Sequence, residues 1–232
     1  MPRAAVSAVI GRCLEAVFAT VQRVRPRHPL HPSGVLLRGT LTRHARSARS
    51  GLAWIDEPWS EPIAVLARAS RSAGLPAPLP DVLGLALRFE TEHGPADIEL
   101  ASTGFGVPSR FWLALHRSPS RGRLNTLFPY KGGDGPVLLC ARTIAPTDLP
   151  VAVGDLGDRL ELEPWRLRLY FARPLGKWHP FAELELSRED EELDPLLRFD
   201  AVRHPLPGTE QYDWVRNVRQ PTYERVQGPD IG

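Results

Sequence analysis

Few residues of this chain are spaced for chemistry that spacing alone can name. His28 and His31 stand three apart and could bring two imidazoles to one metal ion, but no Cys, His or carboxylate cluster elsewhere completes such a site. The two cysteines, Cys13 and Cys140, form no C-x-x-C pair, so neither a disulfide framework nor a structural zinc is readable, and a reducing, cytoplasmic setting is expected. STGFGVPS carries Gly104 and Gly106 but has Ser109 where a dinucleotide fingerprint needs its third glycine. A nucleophile elbow, a phosphate loop and an H-E-x-x-H helix are all missing from the sequence.

Whatever these residues do, a scaffold rich in short strands must position them. The chain has 232 residues, 42% of them hydrophobic, which is enough for one well-buried domain. Its 29 Lys+Arg against 27 Asp+Glu leave no strong field for nucleic acid or an anionic membrane. Lysine occurs only at Lys131 and Lys177, and the other basic residues are arginine.

Residues 1–24 show helical apolar spacing broken by Arg12 and Glu15, which reads as an amphipathic helix rather than a signal peptide or a membrane span. Eight runs then alternate as strands do: 34–42, 62–69, 82–90, 96–102, 136–144, 159–171, 180–187 and 197–203. In PFAELELS, Ala182, Leu184 and Leu186 should face inward while Glu183 and Glu185 face water. Pro164 should bend or bulge the strand at 159–171. RFWLALHRS reads as a short helix, the polar stretch through GGDG (132–135) as surface loop, and REDEELD (188–194) as a solvated turn. Residues 209–227 read as a helical segment kinked or restarted at Pro221. The expected architecture is α+β, an eight-stranded, mainly antiparallel β-barrel over 34–203 with an N-terminal helix and C-terminal helices. Closure at that strand number leaves room for one ligand inside.

Four segments, in order, resemble the catalase-like haem proteins and their small peroxidase relatives. His31-Pro32-Ser33-Gly34 leads into the strand GVLLRGTLT, ARAS spans 67–70, DVLGLALRFE is followed by ADIELAS, and Arg219-Gln-Pro-Thr-Tyr223 lies near the C-terminus. In the third segment Gly84, Ala86, Arg88, Phe89 and Asp97 fall at the family's positions.

The resemblance implies haem b, with Tyr223 as the axial iron ligand, Arg219 beside it, Arg68 as propionate partner, and Ser70 hydrogen-bonded to a distal His31. A guanidinium four residues from a phenol on a helix would favour the phenolate. A histidine titrating near neutrality suits general acid/base work on a peroxide. The implied substrate is hydrogen peroxide or an organic or lipid hydroperoxide, and the implied assembly is a homodimer, with no nucleic acid and no membrane span. Three departures matter: Ala101 stands where catalases carry an orienting Asn, Ala69 replaces an aromatic, and Pro221 interrupts the Arg219/Tyr223 interval. The first of these directs the expectation toward peroxidase-like activity rather than catalase turnover. A second expectation is a non-enzymatic barrel binding haem or another apolar ligand, or a relative of the fold that has lost haem.

Overall fold

Buried and more open side chains alternate along stretches of the strands, and antiparallel register joins them into a closed wall. The computed structural model describes residues 33–44, 48–72, 74–189 and 197–215. The expected N-terminal helix, His31, residues 190–194 of the acidic run, Arg219 and Tyr223 lie outside them.

The first four strands are β1 (Ser33–Arg43), β2 (Ile63–Arg71), β3 (Asp81–Thr91) and β4 (Gly94–Thr103). A two-residue strand, β5 (Leu115–His116), pairs with the start of β3. Then come β6 (Arg123–Asn125), β7 (Tyr130–Gly132), β8 (Gly135–Ala145), β9 (Trp165–Ala172), β10 (His179–Arg188) and β11 (Glu210–Gln211). The order β8-β6-β4-β3-β2-β1-β10-β9, with β9 pairing back onto β8, closes an eight-stranded antiparallel barrel. β7 and β11 extend the sheet beyond β8. A short helix, α1 (Ala53–Asp56), lies between β1 and β2, and α2 (Val153–Leu162) lies between β8 and β9.

Six of the expected strands lie where the alternation puts them, that at 159–171 holds only in its second half, as β9, and 197–203 is not a strand. Residues 159–163 are not strand: Leu156 and Leu160 are buried one turn apart on α2, and Arg159 pairs with Glu163 at 2.7 Å in the i,i+4 sense. Pro164 therefore separates a helix from β9 rather than bulging a strand. Residues 197–203 form no strand either, because their backbone polar groups are taken by side chains: the Arg198 carbonyl accepts from Arg88, and the Asp200 N–H donates to Asp97. The wall is completed instead by the three-residue β6, within a stretch expected to be loop. RFWLALHRS holds part of a 3-10 turn (Ser109–Phe111) and β5 rather than a helix. GGDG is the exposed hairpin turn from β7 to β8. After β11, residues 213–215 are helical, and the rest of the expected C-terminal segment lies outside the described residues.

The interior is filled. Leu37, Leu41, Ala67, Leu85, Leu87, Ile98, Trp165, Leu167, Phe181, Leu184 and Leu186 belong to one continuous buried cluster, where truncating a leucine to alanine costs about 2–5 kcal/mol. At the end covered by α2 a void of about 10 Å³ remains, lined by Ala69, Leu83, Leu124, Leu156 and Trp165 among others, room for about one water molecule. Among the described residues the expected internal ligand space is thus filled, because aliphatic and aromatic side chains converge from all eight strands. At Gly39 the barrel is tightest: a Cβ there would lie 1.7 Å from the Glu185 carbonyl oxygen of β10.

Candidate functional site on the outer wall

With the inside closed, a ligand must bind outside, and register decides which side chains meet there. Antiparallel pairing aligns Gly34, Ser70, Gly84 and Ala101 in one outward row across β1 to β4. The next row is Leu36, Arg68, Ala86 and Glu99, and the third is Arg38, Leu66, Arg88 and Asp97. The first row carries nothing longer than a hydroxyl. Strands about 4.8 Å apart make it a floor about 14 Å across, bordered by the second row about 7 Å away.

Arg68 and Ser70, two of the expected site residues, point to this same face from one strand. The Arg68 guanidinium lies over Gly34, where an added Cβ would come within 2.9 Å of Arg68 Cζ and 2.8 Å of the Ala69 carbonyl oxygen. Burial pushes the charge of Arg68 toward its neutral form, and Arg198 adds to that push. A carboxylate brought to this position would reverse both effects. Ala69 points into the core, so replacing an aromatic there changes the barrel filling, not the floor. His31, Arg219 and Tyr223 are outside the described residues, and the structure does not test their assignment.

An apolar wall borders the Ala101 end of the floor. Leu127, Phe128 and Val215 are buried together there, with Ala101, Phe111, Leu113, Tyr212 and Trp214 packed against them. The Phe128 and Trp214 rings meet edge to face with centroids 5.7 Å apart.

The third row holds a cluster that motif reading placed in register but gave no role. Asp97 is fully buried on the outer side of β4, and Arg88 grips it with Nε on Oδ1 at 2.7 Å and Nη2 on Oδ2 at 2.6 Å. His204 Nδ1 lies 3.0 Å from Asp97 Oδ2, and the Asp97 N–H donates to the His204 carbonyl at 2.8 Å. The hydrogen bond that Arg88 donates to Asp97 is the main reason the Arg88 charge is held more firmly than in water. The sequence signal was present: an acid and an arginine at outward, directly opposed positions of neighbouring strands. These groups are fully occupied in clasping residues 198–204 to the wall, a structural task.

Among the described residues no group of three His, Cys, Asp or Glu side chains is placed to hold a metal ion, and no helix is long and apolar enough to cross a membrane. Cys140 is a buried free thiol, and burial pushes it up to about 12, far from a reactive thiolate.

No family model matches the chain, and no curated protein matches its sequence. Among solved structures, the crystal structure of a fungal catalase matches with a TM-score of 0.62 at 13% sequence identity, covering 90% of this chain and 59% of that one. The chain thus spans less than two thirds of the length of the catalase chain it matches. At that identity the likeness concerns the backbone alone: this chain has a catalase-like barrel fold, closed by eight antiparallel strands.

Proposed function

We propose that the small-residue floor on β1 to β4 is a haem site, and that the protein is a haem-dependent oxidoreductase acting on hydrogen peroxide or an organic hydroperoxide. The observation that carries this reading is the row Gly34, Ser70, Gly84 and Ala101, carrying only the smallest side chains, on the outer wall of a catalase-like barrel whose interior is full. The described residues fit the group. A flat macrocycle needs a cradle that Cβ branches would fill, an apolar flank, and a cation for its carboxylates. The floor, the Phe128 and Trp214 flank, and Arg68 supply these in turn.

Arg68 would hold a propionate, exchanging a poorly solvated charge for a forked contact with a carboxylate. Tyr223 would hold the group's iron through its phenolate, and Arg219 would favour that ionised form, since a phenol left alone titrates near 10. His31, kept in orientation by the Ser70 hydroxyl, would take a proton from the peroxide and return it to the departing oxygen. When bound, the haem supplies the redox chemistry that breaks the O–O bond. Ala101 offers no hydrogen bond where an orienting amide would help bind hydrogen peroxide, and it is packed in an apolar wall. Both facts favour an organic hydroperoxide.

Haem-loaded protein should show a Soret band with the high-spin features of tyrosinate ligation, and Tyr223→Phe should abolish it. Protein that stays colourless under haem loading refutes the reading. The apolar wall at Ala101 also favours a second reading, a haem carrier without turnover. Haem binding with peroxide-dependent dye oxidation unchanged in His31→Ala would support the carrier.

A further inference from the structure

The other half of the barrel wall carries different chemistry. Register sets Arg123 of β6 directly opposite Arg142 of β8 on the outer face, a like-charge pair that is destabilising when left to itself. Both guanidinia stand over the Phe105 ring, with Arg142 Cζ 4.9 Å and Arg123 Cζ 5.7 Å from its centroid. Phe105 stacks on Trp178 at 5.7 Å, and the Trp178 indole N–H donates to the Phe105 carbonyl at 2.9 Å. Arg110 Cζ lies 4.7 Å from the Trp178 centroid. Two stacked rings thus carry Arg123 and Arg142 at the Phe105 end and Arg110 at the Trp178 end, a ladder drawn from the loop after β4, from β6, from β8 and from the approach to β10.

The ladder has surplus positive charge. Arg110 is only 4% exposed. Its Nη1 donates to the Arg173 and Gly176 carbonyls at 3.3 and 3.0 Å, while its Nε is buried without an acceptor. The Nε of Arg123 and the Nε2 of neighbouring His116 are buried and unpartnered in the same way. The acidic groups that Arg110 and Arg123 feel are the Cys140 thiol and, for Arg123, the Tyr170 phenol. Burial keeps that thiol protonated. Ring faces offset part of the cost of a desolvated cation, but they accept no hydrogen bonds in the guanidinium plane, and buried donors left open call for a ligand or ion.

We propose that Arg123 and Arg142, mounted on Phe105 and backed by Trp178, form a binding site for a small oxyanion, a phosphate or carboxylate group of a soluble ligand. Guanidinium forks match both groups in geometry. Both arginines are partly open to solvent and give the anion its entry, and the buried Nε of Arg123 is the donor it would reach. The site stands apart from the proposed haem floor. Arg123 pairs with Thr103, two residues along β4 from Ala101, so one strand spacing and one two-residue step, about 8 Å between backbones, separate the edge of the floor from the nearest arginine of the ladder. It does not depend on whether haem binds.

The test is thermal unfolding and calorimetric titration of the full chain with inorganic phosphate, acetate or chloride at constant ionic strength. Saturable stabilisation by phosphate or acetate beyond that of chloride is expected, and Arg123→Gln with Arg142→Gln should weaken the apparent affinity about tenfold or more. Phosphate alone points to a phosphoryl ligand, acetate alone to a carboxylate, and both to a site that reads the forked oxyanion itself. No effect beyond chloride, or affinity unchanged in the double variant, overturns the proposal. Should the double variant fail to fold, the arginine Nε–H resonances of the wild-type protein decide: that of Arg123 should shift on titration, and its staying fixed overturns the site.

Discussion

Arg88 and Asp97, opposed across β3 and β4, make two parallel charge-assisted contacts on the outside of the barrel, at 2.7 and 2.6 Å. This bidentate pair is what the loop 198–204 closes upon, since Asp97 also accepts from the Asp200 N–H at 2.6 Å. Removing one partner strands the other. Asp97→Ala should cost about 3–5 kcal/mol in urea unfolding. The double variant with Arg88→Leu should recover part of that loss, and limited proteolysis should find the 198–204 loop cut faster in the single variant.

Gly39 sits where β1 and β10 cross most closely, with the place of its missing Cβ 1.7 Å from the Glu185 carbonyl oxygen. That obstacle is backbone and cannot swing aside. Gly39→Ala should destabilise by about 3 kcal/mol or more, the upper range for overpacking, and amide exchange should quicken along the β1–β10 ladder in preference to β2–β3.

The Cys140 thiol titrates high in the folded state, at about 12, because it is buried. A group that holds its proton more tightly when folded contributes stability at pH values below its unfolded pKa, near 9, and loses it as pH rises toward 12. The difference in unfolding free energy between wild type and Cys140→Ala should therefore be constant below pH 9 and shift against the wild type above it. Native protein at pH 8 should leave Cys140 unmodified by iodoacetamide, whereas urea-unfolded protein should be alkylated fully, as read by peptide mass spectrometry.

Ala86 stands beside the floor proposed for haem, in the row next to Gly84, and points away from the core. Ala86→Phe should lower haem uptake at least about tenfold while changing stability by less than about 0.5 kcal/mol. Glu185→Phe, outward on β10 and remote from the floor, should leave uptake unchanged. Soret titration compares the two, and equal uptake by both variants would place any haem elsewhere.

What could be read from the sequence was local. PFAELELS alternates over enough residues that Leu184 and Leu186 had one possible side. RLELE at 159–163 alternates as well, yet it is the end of a helix, because the partner that matters to Leu160 is Leu156 one turn earlier, not a neighbour two residues away. β6 was invisible for another reason: three residues give no period, and their pairing with β4 and β8 comes from distant segments. The same holds for the sites. Arg68 and Ser70 stand out by type and spacing within one strand, but the small-residue row running from Gly34 to Ala101 exists only once four strands are in register. Arg110, Arg123 and Arg142 look like ordinary surface arginines until the chain brings them to two shared rings.

The packed interior has a consequence for how such a chain can change over generations. Along much of each wall strand, alternate residues are committed to holding the barrel shut, and those between them that are open to solvent, unlike the buried Asp97, are released from that duty. Binding preferences can then be rewritten on the outside, one alternate position at a time, without the loss of foldedness that usually accompanies a remodelled pocket.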